Sequence, residues 1–343
     1  MLKSARGAVI AFVIAASGGA VFALLGLPLP WTLGAMAAAA TASLLGNRWP
    51  MPRPARSAAL PVVGVLAGSA FTPEIAAQVP QWWPELLMVT AYSLAVSVLG
   101  FLLLRRLGGL DRVTAYFSSV PGGLGELSLL GERYGGSVRS IAFIHSIRIV
   151  AVVFTVPVLL LPESRMAPAP VDAATGRDLL WLSGAAVGGF LLARYARFPG
   201  GAMIAAMALS AVIHATGLST AAPPPLLVIL AQILIGAVTG SRFAGTTLAQ
   251  MRLIGLLAVG WAVVLLSSAA AAAYAATLVS PMPFSSLLLA IAPGGTPEMI
   301  IIAVSLQIDV AFVALCQVWR VMLALTCAPL IFALLGRYRP PDG

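Results

Sequence analysis

Charged residues are scarce in this chain. Only 9% of its 343 residues are Asp, Glu, Lys or Arg, whereas soluble globular domains carry about 25%. Hydrophobic residues make up 60% and the mean hydropathy is +1.00, which excludes an ordinary soluble domain. The apolar runs are about 15 to 25 residues long and contain Gly, Ala and Pro, which is typical of membrane helices rather than of outer-membrane barrel strands. We therefore expect an all-α integral membrane protein.

Cysteine and histidine are also rare, with two of each. Cys316 and Cys327 both lie in the last apolar run, so no disulfide framework is implied. His145 and His214 are far apart, and no Cys or His pair has the spacing of metal ligands. We expect no metal, no cofactor and no enzymatic activity.

Lysine is nearly absent: 19 of the 20 basic residues are arginine. These arginines stand singly in short loops and are not interleaved with aromatic residues. The net charge of +9 therefore describes membrane topology rather than a nucleic-acid surface. The expected partners are the lipid bilayer and a small solute, not nucleic acid, and a homodimer is left open.

Two stretches of the chain repeat each other. Residues 121–160 and 293–332 align without a gap at an offset of 172. The matching residues are a Pro-Gly-Gly motif, an acid, a base and a later proline: Pro121, Gly122, Gly123, Glu126, Arg148 and Pro157 against Pro293, Gly294, Gly295, Glu298, Arg320 and Pro329. We predict two membrane repeats, residues 1–161 and 178–343, joined by a linker over 162–177.

The Pro-Gly-Gly motifs interrupt runs that would otherwise be single helices. Proline lacks a backbone donor and paired glycines destabilise a helix on both sides. In the first repeat the arms are 112–120 and 124–133, and each reaches about 14 Å, half of a hydrocarbon core of about 30 Å. This length predicts a re-entrant hairpin in each repeat, tipped by the motif.

The distribution of arginines favours this topology. With about five crossings per repeat, inverted repeats and both termini in the cytoplasm, sixteen basic residues lie inside and two outside. A motif that crosses the membrane would give twelve and six. The inner set is Lys3, Arg6, Arg48, Arg53, Arg56, Arg105, Arg106, Arg112, Arg133, Arg139, Arg194, Arg197, Arg242, Arg252, Arg337 and Arg339, and the outer set is Arg165 and Arg177. The positive-inside rule therefore predicts a multi-pass protein of the bacterial inner (plasma) membrane.

Arg148 and Arg320 lie near the middle of their apolar runs, at the depth of the motif tips. An arginine there costs at least about 2.5 to 3.5 kcal/mol, so it must face a partner or a wet cavity. One hypothesis is that ion pairs with Glu126 and Glu298 only lock the hairpins. The other is that the site binds an anionic solute. The candidate substrate-binding residues are Gly122, Gly123, Glu126, Arg148, Gly294, Gly295, Glu298 and Arg320, and the candidates for proton coupling are Glu126, Glu298 and His145.

A duplicated membrane unit with interrupted helices and buried charge is typical of a secondary transporter. We therefore expect a carrier of a small anionic or zwitterionic metabolite, coupled to an ion. A membrane-bound sensor that binds its ligand without moving it is the alternative. The pairs Gly64 with Gly68 and Gly236 with Gly240 are also duplicated, and their spacing predicts close helix packing.

The motif PGGLGELSLLGERYGG followed by FIHSIRIV, and its echo APGGTPEMIII with CQVWR, resembles the AbrB-type membrane protein family. The resemblance covers essentially the whole chain and implies the duplicated membrane unit. Members of that family carry provisional labels as ammonia monooxygenases and as regulators of gene expression. An oxygenase would need copper or iron ligands, which two separated histidines cannot supply. In architecture alone, the hairpin-containing repeats also resemble elevator-type carriers of citrate and glutamate.

Overall fold

The computed structural model describes residues 2–46, 53–163, 174–196, 200–244 and 248–335. Helices joined by short turns make up these residues, and none of the described segments is a β-strand. The α-helices are α1 (Leu2–Leu24), α2 (Ala35–Leu44), α3 (Arg53–Gly68), α4 (Pro73–Gln78), α5 (Trp83–Arg106), α6 (Arg112–Ser119), α7 (Leu124–Arg133), α8 (Val138–Leu160), α9 (Gly176–Ala196), α10 (Gly201–Ala215), α11 (Pro225–Gly240), α12 (Leu248–Thr277), α13 (Phe284–Ile291), α14 (Thr296–Leu306) and α15 (Val310–Leu335).

The expected all-α class is confirmed. Six helical stretches are long and apolar enough to cross a membrane. They are Gly7–Leu24, Pro73–Arg106, Val138–Leu160, Pro225–Phe243, Ile254–Thr277 and Val310–Leu334. Three further apolar helices are shorter, over Ala55–Gly68, Gly201–Ala215 and Thr296–Leu306.

Each Pro-Gly-Gly motif interrupts a helix, as the prolines and glycines predict. The first motif separates α6 from α7, which have 8 and 10 residues. The second separates α13 from α14, which have 8 and 11 residues. At 1.5 Å per residue these four helices are about 12 to 16 Å long, too short to cross a hydrocarbon core of about 30 Å.

The chain divides into two compact units, which are not the two sequence repeats. Unit 1 comprises Met1–Trp82, Pro157–Thr246 and Pro297–Ala314. Unit 2 comprises Trp83–Val156, Thr247–Thr296 and Leu315–Gly343. Each unit therefore takes helices from both halves of the chain.

Close helix pairs that meet at glycines hold unit 1 together. Helix α3 packs on α10, and α11 packs on α2. A Cβ placed on Gly236 would lie 2.6 Å from the carbonyl oxygen of Thr32, and one on Gly68 would lie 2.5 Å from that of Met207. The absence of a side chain thus lets the two backbones approach, as the small-residue spacing predicts.

An aromatic cluster in unit 2 fixes the helices around the first motif. The rings of Tyr116 and Phe117 from α6, Tyr134 from the turn after α7 and Phe332 from α15 have centroids 5.1 to 5.7 Å apart. The Tyr116 hydroxyl also donates to the carbonyl oxygen of Ala328 at 2.9 Å. These contacts anchor α6 and α7 to α15.

Part of the predicted topology lies outside the described residues. The linker predicted over 162–177 falls largely there, because residues 164–173 are not described. The same holds for Arg48, Arg165, Arg197, Arg337 and Arg339 of the arginine count. The repeat boundaries and the orientation of the termini stay predictions.

Candidate functional site

Arg148 caps the helix that leads into the first Pro-Gly-Gly motif. Its side chain is 1% exposed, and it reaches from α8 to the end of α6. Nη1 donates to the carbonyl oxygen of Val120 and Nη2 to that of Gly122, both at 3.3 Å. Val120 is the C-cap residue of α6, so the guanidinium satisfies a carbonyl that a helix end leaves without an intrahelical partner and lies at the negative end of its dipole.

Arg320 has the same role at the second motif. It is 2% exposed, and its Nη1 donates to Ala292, the C-cap residue of α13, at 2.7 Å and to Ile291 at 3.3 Å. Its Nη2 donates to the carbonyl oxygen of Gly294 at 3.5 Å and to Oε1 of Gln317. The guanidinium is therefore held on two sides, by the turn backbone and by a neighbour on its own helix.

The hydrogen bonds around the two arginines correspond at the offset of 172. Val120 and Gly122 correspond to Ala292 and Gly294 as acceptors. One turn earlier in the arginine helix, His145 Nε2 donates to the Phe117 carbonyl oxygen at 2.9 Å, and Gln317 Nε2 donates to the Leu289 carbonyl oxygen at 2.6 Å. Leu289 again corresponds to Phe117. The sequence match between the halves thus extends to individual donors and acceptors.

Among the described residues of unit 2, the arginine charges have no acidic partner. Neither guanidinium forms an ion pair among the described residues of that unit, and the Nε atoms of Arg148 and Arg320 are buried without a hydrogen-bond partner. Both arginines belong to unit 2. That unit therefore holds two buried positive charges.

The expected pair of Glu126 with Arg148 is not formed. Glu126 is half-buried in the first turn of α7, and its Oε2 lies against Gly123, the N-cap residue. The carboxylate therefore folds back towards the start of its own helix, where a negative charge is favoured. The arginine instead faces the end of α6. The sequence expectation failed because it considered side-chain charges and not the carbonyl groups at a helix end.

Glu298 occupies the matching position of α14, but it belongs to unit 1. It is 2% exposed, and its Oε1 accepts from Thr239 Oγ1 of α11 at 3.1 Å. Its Oε2 is buried without a hydrogen-bond partner. A buried carboxylate with one unused oxygen is able to accept a proton or a cation.

Sequence reasoning missed two residues, one in each unit. Gln317 orients Arg320, and the signal for it was available, since it stands where the first half has His145. Thr239 donates to Glu298, and no motif marks it. His214 is 3% exposed, and its ring nitrogens contact the carbonyl oxygens of Ser210 at 2.7 Å and Ala221 at 3.0 Å.

The helices of this chain indicate its class, and its similarity to known proteins shows its family. An all-helical chain with six helices long and apolar enough to cross a membrane falls in the class of integral membrane proteins. Within that class, the chain belongs to the family described as transition state regulatory protein AbrB, whose model matches residues 31–336. The family resemblance inferred from the repeated motif is thereby confirmed.

Two relatives align with nearly the whole chain. An uncharacterized protein of Bacillus subtilis (strain 168), YhjN, is 25% identical over 94% of this chain and 91% of its own length. A protein of Escherichia coli (strain K12) named "Putative regulator AbrB" is 26% identical over 92% of each chain. No solved structure matches the chain.

Proposed function

We propose that the protein is a secondary transporter of the bacterial inner membrane that moves a small anionic or zwitterionic metabolite by ion-coupled alternating access. One observation carries the proposal. Arg148 and Arg320 are buried in the same unit, at the two interrupted helices, and their hydrogen bonds to the described residues of that unit all go to neutral groups. A bound anion would supply the missing negative charge.

The energetics favour an anion over a purely structural role. Carbonyl oxygens satisfy N–H donors, but they carry no net charge to offset a guanidinium. Burying an ion in a low-dielectric environment costs several kcal/mol unless an opposite charge or water compensates it. Two such ions in one unit also repel. An anion at the guanidinium groups would offset both costs.

We propose that the fold is built from two inverted repeats, each with about five transmembrane helices and a re-entrant hairpin, with both termini in the cytoplasm. Helices α6 and α7, which pack against each other, and the equally short α13 and α14 support the hairpins. The matched hydrogen bonds at an offset of 172 support the repeats, as does the division into units that each contain helices from both halves. Carriers of this kind bind solute at interrupted helices near the bilayer midplane.

We propose Glu298 as the residue that exchanges the coupling ion, with Glu126 and His145 as secondary candidates. The unused buried oxygen of Glu298 supports its role. His145 already donates one ring nitrogen to the backbone at Phe117, which favours an orienting role for it. Gly123 and Gly295 complete the proposed site through their backbone. No catalytic residue, cofactor or nucleic-acid partner forms part of the proposal.

A membrane-bound regulator that acts without transport is the second candidate. The printed name of the Escherichia coli relative, "Putative regulator AbrB", favours it. A regulator that only senses a ligand needs one binding site but not two matched halves, because alternating access alone requires the symmetry. The correspondence between the two arginine sites therefore favours transport.

Transport is tested with the purified protein in liposomes. Uptake of a panel of labelled anions, which includes acetate, succinate and phosphate, is measured for the parent, for Arg148→Gln and for Arg320→Gln. Arg106→Gln, at the exposed end of α5, is the matched control for loss of one positive charge. We expect uptake of at least one anion by the parent and by Arg106→Gln, and loss of uptake in folded Arg148→Gln and Arg320→Gln. Unchanged uptake in both site variants would refute the site assignment, and binding without uptake would favour the regulator.

A further inference from the structure

A cavity of about 610 Å³ lies within unit 2, between α5, α6 and α15. Its volume is in the range of pockets that bury small organic ligands, about 300 to 1,000 Å³. Its wall is mostly apolar and includes Leu94, Val98, Phe101, Leu323, Ile331 and Phe332. The cavity runs along α6 from Arg112, which is exposed, to Pro121 of the first motif. It is a long apolar space that ends at the proposed transport site.

Two buried polar side chains on the wall of this cavity have unused hydrogen-bonding capacity. Arg320 lines the cavity, is 2% exposed and has no partner for its Nε. Ser93 also lines the cavity, is 8% exposed and has no partner for its Oγ. Buried polar groups in folded proteins are nearly always satisfied. The two groups are therefore suited to a ligand that brings an acceptor and a negative charge into an otherwise apolar space.

We propose that the cavity binds an amphipathic monocarboxylate, with its carboxylate at Arg320 and its hydrocarbon chain along α5, α6 and α15. This inference rests on the proposed function and deepens it by naming the substrate class. A compact dianion such as succinate would place a second charge against the apolar wall, which costs free energy without a partner. A carboxylate with one apolar chain brings an acceptor to the arginine and places only apolar atoms against the rest of the wall.

The ligand we assign is a free carboxylate in solution and not a bilayer lipid. A lipid that enters from its headgroup region would place its charge at the exposed Arg112 and its chains inwards. The carboxylate assigned here has the opposite orientation, because the buried cation on the wall is Arg320. The two orientations therefore place the negative charge at different arginines of the same cavity wall: at Arg112 for a lipid and at Arg320 for the free carboxylate.

The test measures competition against tritiated octanoate on the protein in phosphatidylcholine nanodiscs, with empty nanodiscs subtracted. The competitors are acetate, butanoate, hexanoate, octanoate, succinate and neutral octanol. We expect affinity to rise about two- to fourfold for each added methylene from butanoate to octanoate, as burial of a methylene predicts. Arg320→Gln should lower the affinity for octanoate at least about tenfold, because a charge-assisted hydrogen bond is lost. The affinity for neutral octanol should stay the same. Arg112→Gln should leave octanoate affinity unchanged.

A second pair of variants keeps the test decisive if Arg320→Gln does not fold. Ser97→Phe, on the cavity wall, should fill the space and abolish the rise in affinity with chain length. Ala95→Phe, two residues earlier on the exposed side of α5, is the matched control and should keep it. An equal rise in affinity with chain length in both variants would overturn the inference.

The remaining outcomes separate this inference from the transport proposal. If succinate or acetate binds in an arginine-dependent way and chain length adds nothing, the amphipathic ligand is wrong and anion transport stands. If no anion binds, both are wrong. If Arg112→Gln weakens octanoate and Arg320→Gln does not, or if added phosphatidylglycerol displaces a ligand that free carboxylates cannot, the cavity is a lipid site and the inference fails.

Discussion

Replacing Gly122 by alanine is expected to destabilise the first Pro-Gly-Gly turn. A Cβ at this position would lie 2.6 Å from Ala324 Cβ and 2.9 Å from Leu127 Cδ1. Leu127 is fully buried, so neither neighbour can move away without a shift of a helix. Overpacking of this kind costs about 1 to 3 kcal/mol. The same shift would displace the Gly122 carbonyl oxygen, which accepts from Arg148 at 3.3 Å.

Gly125→Ala in α7 provides the matched control, because a Cβ there meets nothing within 4 Å. Alanine in a helix is about 1 kcal/mol more favourable than glycine. The two variants should therefore differ by about 2 to 4 kcal/mol, or at least about 4 °C in Tm at about 2 °C per kcal/mol for a long chain. Thermal unfolding in detergent, followed by tryptophan fluorescence, measures the difference. If Gly122→Ala has the same Tm as Gly125→Ala, the turn is not packed as described and its geometry cannot explain the position of Arg148.

Three further outcomes are expected. Gly236→Ala should lower Tm in the same assay because its Cβ would lie 2.6 Å from a carbonyl oxygen, whereas Gly260→Ala, with nothing within 4 Å, should not; equal melting would contradict the close packing of α11. Thr239→Val should leave Glu298 without its hydrogen bond and destabilise the protein by about 1 to 3 kcal/mol; an unchanged Tm would show that the bond contributes nothing. Glu132→Cys, in a background without the two native cysteines, should react with a membrane-impermeant reagent only after cells are opened; labelling of intact cells would refute the re-entrant hairpin.

The positions of the helix interruptions could be read from the sequence because their cause is local. Proline removes a backbone donor and glycine lowers helix stability wherever the motif stands. The arms predicted over 112–120 and 124–133 correspond to α6 and α7, which differ from them by one residue at most. The lengths of these arms followed directly, since a helix has a fixed rise per residue.

The partners of the arginines could not be read from the sequence because they are backbone atoms. Every residue carries a carbonyl group, and only the ends of α6 and α13 make those of Val120 and Ala292 available. A search for opposite charges therefore selected Glu126, whose carboxylate folds towards its own helix start. The division into units could not be predicted from the sequence either. Nothing in the duplicated motif indicates that Glu298 joins unit 1 while its sequence counterpart Glu126 joins unit 2.

The two halves of the chain differ at one position in a way that bears on the role of the arginines. Three residues before each arginine, His145 and Gln317 both donate to a helix-end carbonyl, so different side chains perform this capping. If capping were the only requirement at the arginine positions, a neutral donor would serve there too, without the cost of at least about 2.5 to 3.5 kcal/mol for a buried arginine. Both halves nevertheless carry the permanent charge. The capping bonds explain how each guanidinium is held in place, and the charge, which capping does not require, favours the proposed anion site.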